Sequence, residues 1–331
     1  MSFTNKLLAV MGAFPNADTW EAALHVPTVR VTEQQVRGNI LTEHLEIVTP
    51  DGDDLPALLQ YPTHLTAPAP GILCLHQTTR DPAIGKREPA GLEGDPAFAY
   101  GYELAQRGFV TLMPDYPKFG AYQVTESEIY ESFGYESITL KAVVNHMTAL
   151  SYLSNLDQVD RHNLGCIGHS LGGSNTLFLA CLDQRIKVIA VSCGFSTFAA
   201  YAENHPQQNL QGWSRSDKYM PLIHTQFQDD PALMPFDFPE LMSYLAPLPI
   251  FINAPKYDDV FPFQGVEHTL LHLGKLYKVL GQSDRFEAHS PEVGHGFPEE
   301  IRDRAYHFIK THLSVTESFS PGSKRSLYLG G

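Results

Sequence analysis

The residues with the clearest chemical potential are Gly168-His169-Ser170-Leu171-Gly172, a serine between two glycines. An apolar run ends just before them at Ile167, and helical spacing begins near Leu171. A serine on a sharp strand-to-helix turn projects its hydroxyl clear of a sheet, and flanking glycines remove Cβ atoms that would strike the adjoining strand and helix. The helix that follows aims the positive end of its dipole at the same point. Such a turn suits nucleophilic attack on a carbonyl whose oxygen becomes negative in the intermediate.

A serine hydroxyl is a weak nucleophile at neutral pH, so attack needs a histidine to take its proton and a carboxylate to hold that histidine's tautomer and orientation. After a turn of this type the chain order is serine, acid, histidine. Among 15 histidines, His295 stands in the glycine-flanked Gly294-His295-Gly296-Phe297, between the last predicted strand and the last predicted helix. His289 falls on that strand, and His268 and His272 fall within a helix. The acid is expected at Asp258, after the apolar run Ile250-Phe251-Ile252, with Asp259 as the adjacent rival. Neighbouring side chains point different ways, so only one can serve. Two backbone amides should receive the oxyanion: that of Leu171, and that of Gln77 in His76-Gln77-Thr78-Thr79. His76 is expected either to orient that loop or to touch substrate, and Trp213 to wall the substrate pocket.

These groups need a scaffold. Short continuous apolar runs recur at Gly71–Leu75, Phe109–Met113, Leu164–Ile167, Val188–Val191 and Pro249–Ile252, as expected of strands buried on both faces of a parallel sheet. A last short strand is expected over Arg285–His289. Helical spacing alternates with the runs over Phe98–Arg107, Ile138–Leu156, Leu171–Leu182, Phe263–Leu280 and Glu299–His312, which predicts a doubly wound α/β sheet. Before them, Ile40–Val48 and Leu55–Tyr61 flank an Asp51-Gly52-Asp53-Asp54 turn and read as an antiparallel hairpin. The expected division is an N-terminal extension over 1–39, a core over 40–197 and 246–313, an inserted aromatic cap over 198–245 and a polar tail over 314–331.

Composition bounds what this scaffold meets. Twenty-three Lys+Arg against 37 Asp+Glu leave a formal charge of −14, which repels phosphate backbones and anionic lipid alike, so no nucleic-acid partner is expected. No apolar stretch reaches the roughly 20 residues that span a bilayer, and Leu7–Phe14 is too short and poorly flanked for a signal peptide. Cys74, Cys166, Cys181 and Cys193 lie in or beside apolar segments without metal-ligand spacing and read as buried thiols. A cytoplasmic location, no metal, no cofactor and a small-molecule ester partner are the corresponding expectations; oligomeric state is left open.

With these residues in hand, the chain resembles the α/β-hydrolase superfamily over about residues 40–313, and within it the dienelactone hydrolase-like branch that also holds acetyl xylan esterase-like proteins. The resemblance is carried by His76-Gln77-Thr78 with Gly85-Lys86, Pro114-Asp115-Tyr116, Gly168-His169-Ser170-Leu171-Gly172-Gly173, Tyr257-Asp258-Asp259 with Pro262, and Gly294-His295-Gly296-Phe297. It implies an α/β-hydrolase fold, a Ser170-His295-Asp258 triad and cleavage of carboxylic esters, short-chain acyl esters above all, through an acyl-enzyme. Asp258 and Pro262 also have the D-x-x-x-P spacing associated with this fold. The dienelactone hydrolases proper carry cysteine where this chain has Ser170, which points away from dienelactone chemistry. Lactone or peptide cleavage on the same triad is the alternative, although no propeller-sized segment is present to gate peptides as in prolyl oligopeptidase-like enzymes. Haloalkane dehalogenases place aspartate at the serine position. A non-catalytic binding protein of this fold would be expected to lack a triad member, and a metal hydrolase to show H-E-x-x-H.

Overall fold

A computed structural model describes residues 2–314. Nine strands form one sheet: β1 (Val29–Arg37), β2 (Ile40–Val48), β3 (Asp54–Pro62), β4 (Ala69–Leu75), β5 (Val110–Pro114), β6 (Val159–His169), β7 (Ile186–Ser192), β8 (Ile250–Asn253) and β9 (Phe286–His289). Their order is β1-β2-β3-β5-β4-β6-β7-β8-β9. β1, β2 and β3 form an antiparallel meander, and β3 also meets β5 antiparallel. From β5 to β9 every pairing is parallel. The chain lays β5 on one side of β4 and then crosses to lay β6 on the other. The carboxyl ends of β4 and β6 therefore flank a topological switch point, where open α/β sheets leave a crevice.

Alternation along the central strands sends Ile72, Cys74 and Ile167 to one core and Leu73, Leu75 and Cys166 to the other. Helices Tyr100–Gln106 and Glu299–Ser314 cover the first face. Helices Ile138–Leu153, Leu171–Leu182 and Phe263–Val279 cover the second. Segment 198–245 contributes helices Phe198–Asn204, Leu222–Phe227 and Phe238–Leu245, packed on the second face.

The parallel strands and their crossover helices fall where the apolar runs predict them, to within a few residues. The N-terminal 39 residues do more than extend the chain. β1 adds an edge strand to the meander, and helix Phe3–Met11 buries Leu7, Val10 and Met11, while Phe3 stacks on Tyr244 at 4.8 Å and Lys6 pairs with Glu240 at 2.7 Å. The expected tail lies outside the described residues beyond Ser314. All four cysteines are free and buried. Among the described residues, no helix is long and apolar enough to cross a membrane.

One buried charge ties the meander's turn to the second face. Lys141, in the first turn of helix Ile138–Leu153, is fully buried. Its Nζ donates to both Asp51 oxygens at 2.8 and 2.7 Å and lies 3.3 Å from Asp53, with the Phe133 ring 4.8 Å away. Burial alone would raise the Asp51 carboxyl; the ammonium, in charge and hydrogen bonds, outweighs it and holds the group below its ordinary value. A depressed carboxyl contributes stability that is present above its unfolded pKa and lost as pH falls through the folded one. Asp51→Asn should therefore destabilise the protein by about 3 kcal/mol at neutral pH, because it strands much of a buried charge, and urea unfolding should show the gap to wild type narrowing as the solution is acidified.

Candidate active site

Ser170 follows β6 with φ 53° and ψ −118°, a backbone that a side chain-bearing residue adopts only under constraint. The constraint is visible on both sides. Ser170 N–H donates to Ser192 O at 2.8 Å, continuing the sheet, while Ser170 O accepts from Ser174 N at 3.0 Å, starting the helix. The glycines leave room for this reversal. A Cβ at Gly168 would sit 2.2 Å from Gly172 O, and one at Gly172 would sit 1.9 Å from Leu75 O. The Ser170 hydroxyl opens into a cavity of about 320 Å³, also lined by His295, Leu171 and Gln77.

His295 lies on the loop after β9, and its Nδ1 is 2.9 and 3.0 Å from the two carboxylate oxygens of Asp258, on the loop after β8. Asp258 Oδ1 also accepts from the amides of Val260 and Phe261 at 2.8 and 2.9 Å. Its side chain is 2% exposed. Burial would raise its pKa, but the His295 hydrogen bond and charge, with the two amides, hold it below the ordinary carboxylate value. Asp259 faces solvent. The neighbouring strand pins the histidine loop: Asn253 Nδ2, at the end of β8, donates to Gly296 O at 2.8 Å and to Ser192 Oγ at 2.8 Å. No sequence signal marks this clamp, since Asn253 reads only as the last residue of an apolar strand.

Leu171 is the first residue of its helix, so its amide has no intrahelical partner. Gln77 follows β4 across the switch point, and its loop is braced from behind. The His76 ring is buried, with Nδ1 2.6 Å from Gln77 O and Nε2 accepting from Tyr116 N–H at 2.9 Å. Both ring nitrogens are thereby committed to backbone, so the substrate-contact reading of His76 gives way to the loop-orienting one. The Gln77 side chain is committed too, donating to Glu88 at 2.9 Å, and Gln77 lines the cavity. Further back, buried Lys86 pairs with fully buried Asp115, whose oxygens also accept from the Lys86 and Ala121 amides at 2.8 and 2.9 Å.

Trp213 lines the cavity, as do Tyr201, Tyr219 and Met220 from the same segment. Its ring packs among Phe198, Tyr201, Phe238 and Phe261 at centroid distances of 5.6–6.1 Å. Thr78 Oγ1 and Tyr219 OH lie 3.3 Å apart at one wall, and Phe178 and Val260 add apolar surface. Among the described lining residues none is Lys, Arg, Asp or Glu. The aromatic content of 198–245 points to Trp213 and Tyr219, whereas Tyr201 and Phe178 are not marked by the sequence, because position along a helix does not reveal which face meets a cavity.

No family model matches the chain. It is similar over 318 residues to the protein named "Putative hydrolase YtaP" of Bacillus subtilis (strain 168), with 24% identity covering 93% of this chain and 98% of that one. Among solved structures it resembles a glucuronoyl esterase from Solibacter usitatus, with TM-score 0.70 and 15% identity over 93% of this chain and 91% of the other. It also resembles acetyl xylan esterase 1 from Thermoanaerobacterium sp. JW/SL YS485, with TM-score 0.61 and 15% identity over 96% of this chain and 99% of the other. The chain has the α/β-hydrolase fold of these esterases.

The glycine contacts make a direct prediction. Gly172→Ala drives a methyl group into the Leu75 carbonyl and should lower stability by several kcal/mol, the range of severe steric lesions. A thermal melt close to that of wild type would show that the turn is not confined as described.

Proposed function

We propose that this protein is a serine esterase: a carboxylic ester hydrolase in which Ser170, His295 and Asp258 form the triad and the amides of Gln77 and Leu171 the oxyanion hole. The observation that carries the reading is convergence. A serine on a left-handed backbone, an imidazole held by a buried carboxylate, and Gln77 and Leu171 all line one cavity at the switch point of the sheet. On this reading Asp258, acceptor to His295 Nδ1–H, fixes the tautomer whose Nε2 takes the proton of Ser170 as its oxygen attacks the ester carbonyl. The carbonyl oxygen becomes negative and accepts hydrogen bonds from Gln77 and Leu171, the latter strengthened by the helix N-terminus. Collapse expels the alcohol with the proton from His295. Water, deprotonated by the same imidazole, then releases the acid and restores Ser170.

Segment 198–245 acts as the cap. Its Tyr201, Trp213, Tyr219 and Met220, with Phe178, line the cavity at a size suited to a short acyl group, and the lack of Lys, Arg, Asp and Glu among the described lining residues favours neutral esters over peptides with charged termini. Ester hydrolysis is also what the named structural neighbours perform, which supports the reading without selecting a substrate.

Across p-nitrophenyl acetate, butyrate, octanoate and laurate, kcat/KM should be highest for the two short chains. Ser170→Ala should reduce turnover by on the order of 10⁴–10⁶. Equal rates for Ser170→Ala and wild type would refute the mechanism. Asp258→Asn, which keeps shape but frees the imidazole tautomer, should lower kcat by about 10³–10⁴ with KM little changed, whereas Asp259→Asn should stay within a few-fold of wild type.

A further inference from the structure

A second set of donor atoms sits directly behind the proposed base. One ring nitrogen each of His169 and His295 and the sulfur of Cys193 lie within 4.8 Å of one another. His169, beside the nucleophile, and Cys193, just past β7, are both buried. The hydrogen bonds around Ser192 decide what His169 offers. Ser192 Oγ accepts from Asn253 Nδ2 at 2.8 Å and donates to Cys193 Sγ at 3.8 Å. Its remaining contact is His169 Nδ1 at 2.8 Å, and with the Ser192 proton on Cys193 the imidazole donates that bond, because a hydroxyl has a single proton to give. That tautomer leaves a bare lone pair on Nε2, which is buried and without a partner. An orphaned buried acceptor is costly unless something occupies it.

We propose that His169, Cys193 and His295 form an inhibitory site for a thiophilic divalent cation, zinc above all, whose occupation withdraws His295 from catalysis. Two imidazoles and a thiolate suit zinc or cobalt rather than magnesium or calcium. The Nδ1–H donated by His169 to Ser192 is the support a metal-bound imidazole ordinarily has. Metal–ligand bonds of about 2.0–2.3 Å put tetrahedral ligands roughly 3.5 Å apart, so the three donors would draw together by about 1 Å. On binding, the Cys193 thiol releases its proton to solvent, the thiolate and two imidazole nitrogens donate electron pairs to the cation, and a water completes the shell. No redox partner is needed.

The inhibitory consequence rests on the proposed role of His295, but occupancy does not, and the two are read separately. Cobalt(II) added to the full-length protein should produce a thiolate-to-cobalt charge-transfer band in the near ultraviolet that is absent in Cys193→Ser, a variant that keeps a donor for Gly296 O. His169→Gln should retain the band but bind cobalt on the order of tenfold or more weakly. Buffered free zinc should inhibit ester hydrolysis reversibly, a chelator restoring the rate. Its inhibition constant should be on the order of tenfold or more higher in Cys193→Ser, each protein being compared with its own metal-free rate. No cobalt band in wild type, or a band and a zinc inhibition constant unchanged in Cys193→Ser, would overturn the site. If the protein hydrolyses no ester, the cobalt band alone decides.

Discussion

Within the one residue Ser170 the chain must stop being a strand and become a helix. The two hydrogen bonds that bracket it, to Ser192 O and from Ser174 N, belong to different regular structures and can coexist only with a left-handed backbone between them. A side chain-bearing residue pays for that conformation with about 1–3 kcal/mol of strain. The conformation persists because Gly168 and Gly172 let strand β4, strand β6 and the helix approach to distances no Cβ would permit. Everything at the site is built around this point. The Leu171 amide is freed by the turn, Gln77 follows β4 on one side of it, and Asp258 and His295 follow β8 and β9 on the other.

Those further pieces lie on loops, and each loop is anchored by polar groups that are themselves buried. The Gln77 loop is braced by His76 against two backbone sites and by Glu88 against its own side chain. The His295 loop is held by Asn253 through Gly296 O, and its imidazole by Asp258, whose Oδ1 is fixed by two amides. Such networks are costly when half satisfied and rigid when complete. Rigidity of this kind is what a site relying on preorganised donors requires, since nothing then reorganises as charge develops. His169 Nε2 is among the buried polar atoms left without a partner, and that gap, with the nearby Cys193 and His295 donors, is the basis of the proposed cation site.

Much of the scaffold was legible in the sequence because parallel strands buried on both faces must be continuously apolar. Ile72, Ile167, Ile189 and Phe251 announce themselves wherever they fall. β1 was not legible for the converse reason: Val29–Arg37 is almost entirely exposed, so its polar residues carry no alternation. Ser170, Asp258 and His295 could be proposed from the sequence because the fold prescribes an order for such residues along the chain. His76 was half legible, since a histidine beside the Gln77 amide suits contact with either substrate or backbone, and only the positions of Tyr116 N and Gln77 O settle which. The buried Lys141–Asp51 and Lys86–Asp115 pairs were invisible, because charged residues in a helix or loop ordinarily read as solvated surface.

Covalent attack by Ser170 can be observed directly by rapid quenching of a p-nitrophenyl acetate reaction followed by peptide mass spectrometry. In the first turnovers an acetyl group should appear on the peptide containing Ser170, in step with a burst of p-nitrophenol, and it should never appear in Ser170→Ala. Steady hydrolysis with Ser170 unmodified throughout, or an acetyl group accumulating on another residue at the catalytic rate, would contradict it.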